Sequence, residues 1–201
     1  MKRNREGGTG FSKGEQKKGK ATQKEGDEMA TLKNQALMRI QQGDLEGAKE
    51  LYEKITEWED SGDEIVLGNL SRIYLLTGRY ELAAKSLKKK IMLGSQQKED
   101  YNNLGLALEE TGRMQEAEQH YREALRIDPN FAECHYNLGN ALMKIGKTRE
   151  AARCYQEAVR IDDSFSRAYN NLGNAFKELG EYTDACKNYK EAVRLDQDLS
   201  L

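Results

Sequence analysis

The chain has 201 residues, 37% of them apolar and 33% charged, with a single proline, a profile that allows a sizeable core and suits helices better than sheets. Its 32 Lys/Arg and 34 Asp/Glu leave a net charge of −2, so no overall field draws it to nucleic acid or to an anionic membrane. No apolar run reaches the roughly 18 residues of a membrane span, and no apolar core follows the N-terminal charges as in a secretory signal, which makes a cytoplasmic protein the expectation.

Residues 1 to 28 hold six glycines and eight Lys/Arg, with Phe11 as the single large hydrophobe after Met1. They cannot bury enough surface to offset the entropy of ordering, so a disordered basic tail is expected. The clusters Lys2-Arg3 and Lys17-Lys18-Gly19-Lys20 are read as solubilising. The alternative, a nuclear signal or an RNA contact through residues 1 to 20, predicts steep salt dependence.

From Met29 onward the sequence repeats itself. Leu104-Gly105, Leu138-Gly139 and Leu172-Gly173 recur every 34 residues, and so do the columns beginning at Ala117, Tyr121 and Ala124. Gly78, Gly112, Gly146 and Gly180 keep the same step, and Gly43 lies 35 residues before Gly78. Five repeats follow, at about 29–62, 64–97, 98–131, 132–165 and 166–199. Each punctuating glycine falls between two amphipathic stretches, where a positive φ ends the first helix, so each repeat is predicted to be a helix pair.

In the first repeat the core is built from Leu32, Ala36, Ile40, Ala48, Tyr52 and Ile55, with Gln35 where a leucine is usual. The second has Ser71 in the glycine column and Lys90 in the last alanine column, and Lys88-Lys89-Lys90 reads as a solvated face. In the third, helix A buries Tyr101, Leu104 and Leu108 on one face, Gly105 admits close approach, and helix B answers with Ala117, Tyr121 and Ala124. No pair buries both faces alone, so neighbours must stack. The third, fourth and fifth repeats fit the pattern best.

A large residue, Leu-Gly, a large residue, Ala, aromatic, Ala and Pro129 in that order resembles the tetratricopeptide repeat over residues 29 to 201. The resemblance implies an all-α, right-handed solenoid of about five helix-turn-helix repeats. It also implies a scaffold or adaptor that binds other proteins.

No constellation carries chemistry. His135 occupies the column of Tyr101 and Tyr169 and reads as packed, while His120 shares its column with Cys154 and Asn188 and reads as a surface residue. Carboxylates recur as Glu-Ala pairs such as Glu116-Ala117 and Glu150-Ala151, each a solvated residue before a packed alanine. No phosphate-binding loop, serine elbow or H-E-x-x-H helix occurs. No catalytic residue, metal ligand or cofactor is assigned, and the chain is not expected to be an enzyme. Cys134, Cys154 and Cys186 form no C-x-x-C pair and fit a reducing compartment, where thiols pack as small hydrophobes.

If Tyr101, Leu104, Gly105 and Leu108 face the stack, then Glu99, Asn103, Leu106 and Glu110 point to the other side of helix A, which should line a groove. That column holds Asn69, Asn103, Asn137 and Asn171, with Asn140 and Asn174 one turn further along. An amide offers a donor and an acceptor, enough to pair with one extended peptide unit whatever its side chain. Helices about 8 to 10 Å apart and a peptide advancing about 3.3 Å per residue would let successive asparagines hold every third unit. The alternative is that these asparagines serve helix spacing or local hydrogen bonding.

The ladder resembles that of the repeats in O-linked N-acetylglucosamine transferase, where such asparagines hold extended polypeptide. The carboxylate clamp of chaperone cochaperones fails here, because only Lys33 and Arg167 match it in isolation. The expected function is therefore to hold an extended client through the six asparagines, with Arg72, Leu106, Lys144, Arg167 and Glu178 setting specificity. The rival is the substrate-recruiting repeat region or regulatory subunit of an enzyme such as a glycosyltransferase. After Val193 and Leu195 no polar capping helix follows, so an apolar edge is expected, covered by a partner, by self-association or by a further domain.

Overall fold

The computed structural model describes residues 13–58 and 63–198. Ten α-helices occur among the described residues, in two compact units, 1–61 and 62–201.

The first unit is a helix pair, α1 (Lys13–Gln41) and α2 (Leu45–Trp58). Leu32, Ala36, Ala48, Tyr52 and Ile55 are buried, as the repeat pattern requires, while Ile40 is half-buried and Gln35 exposed. Gly43 turns the chain at φ 80°. Asp44 then starts α2 by accepting the Gly47 N–H at 2.9 Å, and Arg39 pairs with it at 2.6 Å. Those two contacts, the backbone bond foremost, hold its carboxyl below the usual range.

α1 begins within the stretch expected to be a disordered tail, whose residues 1–12 lie outside the described residues. Lys, Glu, Gln and Ala there are good helix formers. The first buried side chain among those described is Leu32.

The second unit stacks four helix pairs. They are α3 (Glu64–Leu76) with α4 (Tyr80–Met92), α5 (Lys98–Glu110) with α6 (Met114–Ile127), α7 (Ala132–Lys144) with α8 (Thr148–Ile161), and α9 (Ser166–Glu178) with α10 (Tyr182–Asp198). Asp63 caps α3, its carboxylate accepting from the N–H groups of Ile65 and Val66. Gly112 shows how the turns work: at φ 79° it ends α5, with its N–H bonded to Glu109 O and the Arg113 N–H to Leu108 O. Gly78, Gly146 and Gly180 adopt the same positive φ.

Leu104, Leu108, Ala117, Tyr121 and Ala124 are fully buried. The glycine and tyrosine columns meet: a Cβ on Gly105 would lie 2.6 Å from the Tyr121 ring, one on Gly139 2.5 Å from Tyr155, and one on Gly173 2.6 Å from Tyr189. In the second repeat the tyrosine position is Leu87, fully buried, and Ser71 fits in the glycine column. The first repeat has Ala36 and Tyr52 in these columns, so the rule belongs to residues 62–201 alone.

The other departure is explained in the same way. Lys90 is 6% exposed rather than part of a solvated face, and its Nζ lies 2.7 Å from Asp100, itself 5% exposed. Asp100 occupies the column that holds Cys134 and Ala168 in the next repeats, so a buried ion pair replaces two small apolar residues. Ser95 Oγ donates to the same carboxylate. On α10, Tyr182 and Val193 are exposed.

Candidate functional site

Residues spaced by three, four and seven along a helix share a face. On α7 one such face carries Glu133, Asn137, Asn140 and Lys144, and on α9 it carries Arg167, Asn171, Asn174 and Glu178. Together with α5 these faces form an open cleft of about 580 Å³, whose lining includes Glu110, Asn137, Asn140, Lys144, Asn171 and Asn174. The cleft thus gathers four of the six asparagines expected to contact a client.

Asn69 and Arg72 on α3 and Asn103 on α5 hold the same register outside that lining. Arg167, also exposed, borders a second depression with Phe131, Glu133 and Phe165. Its guanidinium lies 5.6 Å from the Tyr136 ring and 5.5 Å from that of Phe165.

The asparagines also bond to one another from repeat to repeat. Asn137 Nδ2 donates to Asn102 Oδ1 at 3.1 Å, and Asn171 Nδ2 donates to Asn140 Oδ1 at 2.9 Å. Asn140 Oδ1 also accepts from the Tyr155 hydroxyl, and Asn174 Oδ1 accepts from that of Tyr189, both at 2.8 Å. These bonds set the spacing of α5, α7 and α9 and hold the amides in fixed orientations. Asn103 makes no side-chain hydrogen bond among the described residues.

The third repeat has Leu106 where the next two have Asn140 and Asn174, so Tyr121 needs another acceptor. Its hydroxyl donates to Glu109 Oε2 at 2.8 Å, and Lys144, from the following repeat, donates to Glu109 Oε1 at 2.7 Å. Burial first, and the Glu109 charge second, push the Tyr121 phenol far above its usual range. Glu109, Met143 and Lys177 line the cleft as a column that inspection of the asparagines missed. The signal available in the sequence was the loss of asparagine at Leu106, which leaves the tyrosine hydroxyl without its usual partner.

His120 is half-buried rather than on the surface, its ring 6.3 Å from that of Tyr101 and its Nδ1 buried without a hydrogen-bond partner. Burial, then the nearby Lys88 charge, lower its pKa. His135 sits with Nε2 3.0 Å from Pro129 O, a contact in which it donates. Burial raises the Cys134 thiol to about 12 and that of Cys154 to about 11, so neither is a ready nucleophile at neutral pH. Among the described residues no group of three metal-ligating side chains converges, and no helix is long and apolar enough to cross a membrane.

Tetratricopeptide-repeat profiles match residues 66–93, 109–146, 139–180 and 166–199. With these matches and the stacked helix pairs, the chain belongs to the tetratricopeptide-repeat family, and it is a protein-interaction scaffold. A crystal structure of the protein MamA is similar over 82% of this chain and 96% of its own, with 26% identity and a TM-score of 0.77. A MamA fragment from Desulfovibrio magneticus RS-1 shares the fold at 17% identity, covering 86% of this chain and 97% of its own, with a TM-score of 0.79. So does YrrB, described as a tetratricopeptide-repeat protein with an unusual peptide-binding site, at 19% identity, 89% and 92% coverage and a TM-score of 0.74. A search of curated proteins gave no significant match.

Proposed function

We propose that the chain is an adaptor that holds an extended segment of a client protein along α3, α5, α7 and α9, with the asparagine amides pairing to the client backbone. The observation that carries this reading is the cleft in which Asn137, Asn140, Asn171 and Asn174 converge. Asn137 and Asn171 spend an N–H on the preceding repeat, so they are oriented before a client arrives and lose little side-chain entropy on binding. An unoriented surface amide would give up most of its hydrogen-bond free energy to that ordering.

The test compares pull-downs by wild type, by Asn103→Ala and by the triple variant Asn103→Ala, Asn137→Ala, Asn171→Ala, each checked for folding by circular dichroism. Asn103→Ala removes an amide with no structural bond, so loss of clients from that folded variant separates recognition from repeat spacing. If all three proteins retain the same clients, the asparagines are structural and clients bind elsewhere on the surface.

A further inference from the structure

The outward face of α4 differs from those of the second helices in later repeats. In the third repeat Glu118 on α6 lies between two cations, Arg122 of the same helix at 2.8 Å and Lys147 of the next repeat at 2.9 Å. The matching positions one repeat earlier are Ala84, Lys88 and Arg113. Both cations are kept and the carboxylate between them is gone. In the fourth repeat Ala152 also replaces the glutamate, but there Gln156 and Glu181 stand in place of the cations. Only the second repeat keeps both cations without the acid.

Those two cations share one remaining carboxylate, Glu116. Arg113 holds it with two bonds of 2.7 Å, and Lys88 lies 3.5 Å from it. Arg122, by contrast, has Glu150 at 3.3 Å in addition to Glu118. Ala84 lines an open depression of about 380 Å³ between α4 and the start of α6, together with Lys85, Lys88, Lys89, Met92 and Arg113. Glu81 is the one carboxylate in that lining, against four cations.

The same face lacks a second pair found in the later repeats. Glu123 pairs with Arg126, Glu157 with Arg160 and Glu191 with Arg194, whereas α4 has Lys89 and Met92 in these columns. A cation thus stands where the others have an acid, and Met92 is left 86% exposed.

We propose that this face of α4 docks an acidic, partly apolar segment of a partner protein. One carboxylate of the segment enters the depression between Lys88 and Arg113, the place that Glu118 takes in the next repeat. Further carboxylates face Lys85 and Lys89, and an apolar side chain covers Met92. The charge pattern fits a protein better than a lipid surface or a nucleic acid. Two cations converge on one carboxylate position, whereas those partners call for a broad positive field, and the chain carries a net charge of −2. The site uses none of the asparagines on α5, α7 and α9, so it does not depend on the groove reading.

The experiment depletes a displayed library of random twelve-residue peptides on Ala84→Glu, which supplies the third repeat's own carboxylate, and then selects on wild type. The pair variant Lys88→Gln, Arg113→Glu installs the fourth repeat's residues outside the core, and it replaces Ala84→Glu in the depletion should that protein not fold. Circular dichroism checks each fold. The expected result is enrichment of peptides with Asp or Glu beside an apolar residue. These should bind both variants at least ten-fold more weakly than wild type, and Asn103→Ala as tightly as wild type.

The proposal is overturned if no acidic peptide is enriched, or if the enriched peptides bind the pair variant as tightly as wild type. Weaker binding to Asn103→Ala would place the peptides in the groove and overturn a separate site. Phosphatidylserine vesicles and oligothymidine are tested beside the peptides. If only these bind wild type and are lost from the pair variant, the face serves a lipid or a nucleic acid and the proposal falls.

Discussion

Gly139 and Tyr155 fit together because the glycine has no side chain, for a Cβ at that position would lie 2.5 Å from the tyrosine ring. Gly139→Ser alone should therefore cost about 1 to 3 kcal/mol through overpacking. Adding Tyr155→Leu recreates the pairing of Ser71 with Leu87, so the double variant should be more stable than the sum of the two single losses predicts. Urea denaturation of the four proteins in the cycle measures that coupling. Simple additivity would mean that the two columns tolerate each other independently.

Lys90 and Asp100 make a sharper case, because both are buried. Lys90→Ala or Asp100→Ala leaves one charge without its partner and should cost about 3 to 5 kcal/mol. The double variant matches the later repeats, which have Ala158 and Ala168 in these columns, and should recover most of that loss. Denaturation midpoints decide it, and a double variant as unstable as the singles would show that the ion pair stabilises in its own right.

These pairs also explain which parts of the molecule could be read from the sequence. Helix pairs, their glycine turns and residues such as Leu104, Ala117 and Tyr121 were legible because each repeat solves the same packing problem with the same residues. Ser71 and Lys90, taken singly, look like defects. Their compensating partners, Leu87 and Asp100, lie in other columns, where a residue-by-residue comparison does not bring them together. The asparagine register was legible on the same principle, whereas Glu109 was not, because its role exists only where Leu106 interrupts the column.

For Tyr121, the partner is what matters rather than the residue that supplies it. Glu109→Met installs the residue found at Met143, orphans the buried hydroxyl and should cost about 1 to 3 kcal/mol. Adding Leu106→Asn gives Tyr121 the acceptor that Tyr155 has in Asn140, and stability should return. Thermal melts of the single and double variants test this, and a double variant no better than Glu109→Met alone would show that the charge pair with Lys144 was the main contribution.

Cys134 should make stability fall at high pH. An unfolded thiol ionises from about 9.0, while in the folded protein Cys134 keeps its proton to about 12. The contribution is complete below pH 9 and is lost as pH rises toward 12, by about 1.4 kcal/mol per pH unit. Cys134→Ala, matching Ala168, removes that slope. Between pH 8 and pH 11 wild type should lose more stability than the variant in urea titrations, and equal losses would mean that the buried thiol ionises as freely as an unfolded one.

The Lys90–Asp100 pair bears on inheritance as well. A period of 34 residues invites unequal recombination that deletes or duplicates one repeat in frame. Loss of residues 98–131 would set Lys90 against Cys134, a buried ammonium with no counter-charge, at a cost of several kcal/mol. Loss of residues 132–165 would set Ala124 against Ala168, apolar on apolar. That second loss would also remove Lys144 and set Glu178 in its place beside buried Glu109. Repeats two and three are therefore tied as a single heritable block, and the fourth can be copied but not lost without leaving Glu109 unneutralised.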